Sequence, residues 1–210
     1  MSDENRARRT YRLKKRADAM AETKRRITEA AVELHGSVGP SRTTVSAVAR
    51  RAGVERQTVY RHFPTDEELY VACSEHFLAA SPLPDLDTWR AIDDPQARLA
   101  RALADLYAYY EHTAPMYANV FRDADLVEAL RPPLTLLEDY LAEAARVIAA
   151  DWGTRGRRRD VLTAVARHAV DFTTWRSLTA SGRVTRERAV DLMTALVRAA
   201  SAPPPAPAGG

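Results

Sequence analysis

Apolar residues recur at intervals of three and four along nearly the whole chain, and no stretch shows the period of two that a half-buried strand needs. The pattern predicts an all-helical protein. Glu22 to His35 places Ile27, Ala30, Ala31 and Leu34 on one face, the spacing of an amphipathic helix, and Gly36 with Gly39-Pro40 ends it. A second helix, capped by Thr43 or Thr44, turns Val45, Val48, Ala49 and Ala52 inward. Gly53 follows at once, able to take positive φ and turn the chain sharply. A third, Glu55 to Phe63, buries Val59 and Phe63 and exposes Arg56, Gln57, Thr58, Arg61 and His62 before Pro64 stops it. Thr65 with Glu68 three residues later forms a capping box for a fourth helix past Leu69, Val71 and Phe77.

Ser81-Pro82-Leu83-Pro84-Asp85 then reads as a linker. Beyond it Asp94-Pro95 caps a helix with Leu99, Leu103, Leu106 and Tyr110 inward, and Pro115 is expected to break it. Pro132-Pro133 opens another through Leu137, Leu141, Ala144 and Ile148. Arg157 to Ala180 reads as one long helix with Val161, Val165, His168, Phe172 and Trp175 inward, closed by Gly182. Thr185 caps the last, where Ala189, Val190, Met193, Leu196, Val197 and Ala200 fill one side.

Charge changes this picture. The net charge is +3, but residues 1–62 carry 15 Lys+Arg against 7 Asp+Glu, leaving 16 against 21 for the rest. Seven of the basic residues (Arg6, Arg8, Arg9, Arg12, Lys14, Lys15 and Arg16) fall in residues 1–20, which read as a mobile charged arm. Basic charge gathered at one end is the footprint of a polyanion partner, nucleic acid before membrane, because no apolar stripe accompanies it. No run approaches the roughly 18 apolar residues of a membrane span, and the basic N-terminus lacks the apolar core of a signal peptide, so a cytoplasmic protein without membrane association is expected. Cys73, the only cysteine, reads as a small buried hydrophobe.

Thr44 to Phe63 is thus a helix, a glycine turn and a short second helix: a helix-turn-helix. The second helix presents Arg56, Gln57, Thr58 and Arg61, side chains able to donate to base edges in a major groove. In particular Ala49-x-x-Ala52-Gly53-Val54, followed by Thr58-Val59-Tyr60-Arg61-His62-Phe63-Pro64 and Glu67-Glu68-Leu69, resembles the DNA-binding region of the tetracycline-repressor (TetR) family over Glu22 to Phe77.

The resemblance implies an all-α fold. A three-helix helix-turn-helix head at 21–67 would follow a basic arm at 1–20; a helical regulatory, ligand-binding and dimerisation body at 68–200 would precede a disordered tail at 201–210. It implies that Thr44 contacts phosphate, that Tyr60 and His62 contact the sugar-phosphate backbone, and that Arg56, Gln57, Thr58 and Arg61 lie against the groove. Two positions depart from the family pattern: Glu55 stands where a small cap is common, and Asp66 where a phosphate-binding lysine often stands. The arm, through Arg8, Arg9 and Arg12, is expected to supply the missing positive charge.

None of the phosphate-loop, dinucleotide, nucleophile-elbow or zinc-protease motifs occurs, and His35, His62, His76, His112 and His168 do not fall at ligand spacings with a third donor. No enzymatic activity, cofactor or metal is expected. His168 reads as a core or interface histidine sooner than a ligand contact, and Arg155 to Arg159 as a solvated helix start. The aromatic-rich body offers Tyr107, Tyr110, His112, Tyr117, Phe121, His168, Phe172 and Trp175 as candidate contacts for an apolar or aromatic effector. The last two long helices would pair with their symmetry mates, with Phe172, Met193, Leu196 and Val197 at the dimer interface. The resulting expectation is a homodimeric transcriptional regulator, a repressor released from a palindromic operator by a small molecule. A ligand-independent architectural DNA binder and a small all-α enzyme remain the alternatives at this point.

Overall fold

The computed structural model describes residues 3–202, within which the chain forms ten α-helices and two 3-10 turns and no strand. In order these are α1 (Asp3–Ser37), a 3-10 turn at Pro40–Arg42, α2 (Val45–Ala52), α3 (Arg56–His62), α4 (Asp66–Ala80), α5 (Leu86–Arg90) and α6 (Pro95–Asp123). A 3-10 turn at Glu128–Leu130, α7 (Arg131–Ile148), α8 (Arg157–Ala169), α9 (Phe172–Thr179) and α10 (Arg186–Ser201) complete the chain. The residues divide into two compact units, one made of the chain up to Ala80 with Pro115–Pro133, the other of Ser81–Ala114 and the chain from Leu134.

In the first unit, Ile27, Ala30 and Ala31 of α1 bury against Val48, Ala49 and Ala52 of α2, with Val59, Phe63, Leu69 and Cys73 closing the core. The small residues let α1 and α2 approach closely. Thr44 caps α2 by accepting the Ala47 N–H at 3.1 Å, and Gly53 ends it in the left-handed region at φ 65°, ψ 41°. A side chain there would be strained and would meet the Arg26 guanidinium, which donates to the carbonyls of Ala52 and Gly53. The Thr65 hydroxyl accepts the Glu68 N–H at 3.2 Å, which makes α4 begin as its capping pattern predicts.

The segment from Pro115 fastens the end of α1. The Asn119 amide donates to the His35 and Gly36 carbonyls at 3.0 and 2.9 Å, and Arg122 donates to the Val38 carbonyl at 3.1 Å. Asp123, fully buried, accepts the Ser41 N–H at 2.9 Å and pairs with Arg122 at 2.8 Å; these bonds hold its carboxyl down at about 2, the Arg122 bond most of all. Thus the unsatisfied carbonyls of a helix end and its following turn are met by side chains more than 80 residues away.

In the second unit Leu99, Leu103, Leu106 and Tyr110 of α6 and Leu137, Leu141, Ala144 and Ile148 of α7 are all buried as their spacing predicts, and Arg98 of α6 donates to the Val147 carbonyl of α7 at 3.3 Å. Asp94 accepts the Ala97 N–H at 3.1 Å at the start of α6. Past the expected linker lies an element the pattern does not announce: α5, whose buried Trp89 donates its indole N–H to Asp105 at 2.9 Å.

Three sequence expectations are corrected here. Residues 3–20 are not a separate mobile arm but the first half of α1, which contains no proline and no glycine before Gly36; Ala, Arg, Lys, Leu, Met and Glu all favour helix. Pro115 does not break α6, which runs through it to Asp123; the proline forfeits one backbone bond, at a cost of about 3 kcal/mol in an isolated helix, and burial on both sides outweighs it. Arg157 to Ala180 is not one helix. Asp171 caps α9 by accepting the Thr173 N–H at 2.8 Å, and the break turns the inner face of α8 to Leu162, Ala166 and Ala169, leaving Val161 and His168 exposed. The expected tail begins with Ser201, still in α10, and 203–210 lie outside the described residues.

Candidate nucleic-acid interface

α3 is seven residues long and only its Val59 side is buried, with Phe63 following as its buried cap. At about 100° per residue, Arg56, Tyr60, Gln57 and Arg61 fall on one arc, and all four are exposed. Thr58 and His62, expected on the same surface, are half-buried at its flank because they follow Val59 round the helix. The His62 imidazole is shifted below its ordinary value, by burial first and then by Arg61 and Lys24. Arg56 lies over the Tyr60 ring at 5.4 Å and donates to its hydroxyl at 3.0 Å.

Thr44, at the start of α2, is exposed. Its oxygen is engaged by Ala47, yet a hydroxyl that accepts retains its own hydrogen for an anion. Beside it on the first turn, exposed Ser46 is a polar residue that sequence reasoning passed over, visible only once the cap is fixed at Thr44 rather than Thr43. Glu55 caps α3 without a side-chain bond, and Asp66 sits in the first turn of α4, where its charge favours the helix dipole. Arg8, Arg9 and Arg12 are exposed on α1.

His35, near the end of α1, is 4% exposed and stacks on Tyr70 of α4, with ring centroids 4.8 Å apart and planes 4° apart. Burial holds its imidazole at about 4 and pushes the Tyr70 phenol to about 12.

The aromatic candidates in the body do not form one lining. Tyr117 and Phe121 belong to the first unit, where Tyr117 packs edge-on to Phe77 at 6.0 Å and on Phe121 at 6.1 Å. His112 and His168 are exposed, and His168 is therefore not a core residue; its ring lies 3.3 Å from the Thr174 hydroxyl. Tyr107, Tyr110, Phe172 and Trp175 do cluster, with Tyr110 at 5.4 Å from Phe172 and 5.9 Å from Trp175. The tyrosine hydroxyls are spent, however: they donate to the Ala169 and Val170 carbonyls at 2.8 and 2.6 Å, satisfying the end of α8. The Trp175 indole N–H is buried with no partner among the described residues.

The expected interface residues also separate. Phe172 and Val197 are fully consumed by the second unit's own core and present nothing to a partner. Met193 is half-buried, and Leu196 is 40% exposed on the same flank of α10 as Leu192.

A short, exposed, donor-rich helix held one glycine turn behind a capped helix defines a helix-turn-helix protein. Residues 27–73 match the family profile described as "Bacterial regulatory proteins, tetR family". It is 34% identical over 112 residues to the HTH-type transcriptional repressor Rv3405c of Mycobacterium tuberculosis, covering 50% of this chain and 57% of that protein. Over 85 residues it is 36% identical to the HTH-type transcriptional regulator SrpR of Pseudomonas putida, covering 38% of this chain and 40% of that one. The matched segments therefore span 57% and 40% of the length of these two curated relatives. Two solved structures share its fold. The TetR-family regulator PfmR from Thermus thermophilus has a TM-score of 0.57 at 19% identity, over 81% of this chain and 96% of that one. A TetR-like regulator from a Rhodococcus species has a TM-score of 0.56 at 19% identity, over 84% and 93%. Among the described residues no helix is long and apolar enough to cross a membrane.

Proposed function

We propose that the protein is a sequence-specific, DNA-binding transcriptional regulator, a repressor that grips a palindromic operator as a homodimer and leaves it when a small molecule binds. The exposed arc of Arg56, Gln57, Tyr60 and Arg61 on a buried-backed α3 carries the reading. Arginine offers the paired donors that a guanine edge requires, and glutamine the donor and acceptor that an adenine edge requires, while Thr44, Tyr60 and His62 are hydroxyl and imidazole groups suited to phosphate. The repressor sense follows the relative Rv3405c, which is named a transcriptional repressor. A dimer is supported by the exposed apolar side chains Val161 on α8 and Leu192 and Leu196 on α10, helices that pack on each other in one unit. An effector site is supported by the unpartnered Trp175 N–H beside Phe172 and Tyr110; it fits an aromatic or apolar compound carrying a hydrogen-bond acceptor.

Selection of bound fragments from a random DNA pool tests the reading. An enriched motif with two-fold symmetry is expected, and Gln57→Ala should relax its preference at one base pair of each half-site. Enrichment of no motif would leave the architectural alternative in its place.

A further inference from the structure

α1 runs far beyond the core it serves. No residue from Arg8 up to Ile27 is buried, so the helix projects past the packed part of the head. Arg8 and Arg26 are five full turns apart, about 27 Å along the axis and on the same side of the helix. Arg26 marks where that side leads, because it donates to the carbonyls of Ala52 and Gly53 in the turn between α2 and α3. On the helical wheel Arg8, Arg9, Arg12, Lys15 and Arg16 all fall within an arc of about 120° that includes this side, running from about 20° on one side of Arg26 to about 100° on the other. Each of the five is exposed. The basic stripe therefore overlaps the face of α1 that meets the helix-turn-helix turn and extends to one side of it, while Glu22 and Asp18 lie on the other side, about 40° and 80° from Arg26.

We propose that this helical extension is a second DNA-contacting element, laid along the phosphate backbone that flanks the half-site read by α3. The inference rests on the proposed DNA-binding function and adds the contact surface and its mode. Helical form decides the mode: a helix with its side chains is about 10–12 Å across, whereas the minor groove is about 6 Å wide, so the extension lies across phosphates rather than threading the groove as an unfolded arm would. Five long cations on one arc give dense positive charge with no base-reading pattern, which is a phosphate-tracking surface. It also replaces the cation that Asp66 denies the start of α4.

The test uses the full chain and a random-sequence duplex of about 40 base pairs, long enough for two half-sites a helical turn apart with flanks. Binding is measured from about 50 to 200 mM salt for the wild type, the variant R9Q/R12Q/K15Q/R16Q, and Ala17→Pro, which interrupts the helix while keeping every charge. Each phosphate contact contributes about 0.9 to the slope of log affinity against log salt, so the quadruple variant should flatten it by about 2–4 units. Its melting temperature should not move, since all four side chains are exposed. Hydroxyl-radical footprints on a fragment selected by the wild type should show protection outside the half-sites that both variants lose. An unchanged slope in the quadruple variant overturns the proposal, and outer protection that survives Ala17→Pro overturns its helical form. Leu13 and Met20 lie exposed beside the stripe, so vesicles of phosphatidylserine and phosphatidylcholine are run in parallel; binding to them that the quadruple variant loses, with the DNA slope unchanged, overturns the DNA assignment in favour of a lipid surface. A wild type that binds no duplex overturns the underlying reading, a result distinct from all of these.

Discussion

Acid should weaken the first unit through one residue. The His35 imidazole is held at about 4 in the folded protein, solely by burial, against about 6.5 in an unfolded chain. Its folded value is the lower one, so the unfolded state takes up the proton first: the stability tied to neutral His35 is complete above about pH 6.5 and drains away as the pH falls toward 4. At pH about 5 an unfolded histidine is almost wholly protonated and the buried one almost wholly neutral, a difference worth about 2 kcal/mol. With a urea slope of about 1–3 kcal/mol/M for a small protein, the midpoint should move down by roughly 1 M between pH of about 8 and about 5. Other groups add to the pH dependence, and the informative quantity is the difference between the wild type and His35→Phe, which keeps a ring against Tyr70 and has nothing to protonate. Urea melts followed by circular dichroism at the two pH values measure it. If both proteins lose equal stability, burial does not depress the His35 imidazole and the argument fails.

Two further outcomes follow from the packing. Gly39 has φ 98°, and a Cβ there would run into the Arg122 guanidinium and stand 2.6 Å from the Asp123 carboxylate; Gly39→Ala should cost about 1–3 kcal/mol from backbone strain, and more where the Asp123 network breaks, read as a lowered melting temperature. Leu196→Asp should convert the proposed dimer to monomers by light scattering with the fold intact by circular dichroism, because Leu196 is exposed; a variant that stays dimeric would move the interface off this flank of α10.

The first unit is largely legible in the sequence because its signals are local. Thr44, Gly53 and the Thr65–Glu68 box act within a few residues, and the apolar spacing of α1 and α2 names the face that buries. What escapes depends on partners distant in the chain. Nothing near Asn119 or Asp123 announces that they close the end of α1, and Tyr107 and Tyr110 look like pocket linings until their hydroxyls are found on the Ala169 and Val170 carbonyls. At Asp171 two signals compete: periodicity through Val165, His168 and Phe172 suggests continuity, while a single cap residue ends one helix and begins another. The basic extension misleads for a related reason. Lack of an apolar face predicts that a segment will not pack, which is true of residues 8–22, but high intrinsic propensity continuing a packed helix suffices to keep it helical.

On α3 the contact between Arg56 and Tyr60 bears on how the proposed interface would read DNA. Arg56 lies over the tyrosine ring and donates to its hydroxyl, so part of its conformational freedom is already lost before any base is met, and one of its several N–H donors is occupied. Pairing with a guanine edge requires two donors on one side of the guanidinium, and the tyrosine hydroxyl must be exchanged for a phosphate oxygen if both residues are to engage. The ring contact can persist through that exchange, since it does not depend on the hydroxyl. Tyr60→Phe keeps the ring and removes the hydroxyl. It should lower affinity for cognate and random duplexes alike, by about 1 kcal/mol for one hydrogen bond, while leaving base preference intact. Tyr60→Ala removes the platform as well, and should in addition relax preference at the base pair that Arg56 reads, approaching the discrimination of about 1–3 kcal/mol lost in Arg56→Ala. Competition binding with the selected duplex and single-base-pair variants separates the cases. If Tyr60→Ala keeps full preference at every position, the stacking of Arg56 on Tyr60 does not order the arginine for recognition.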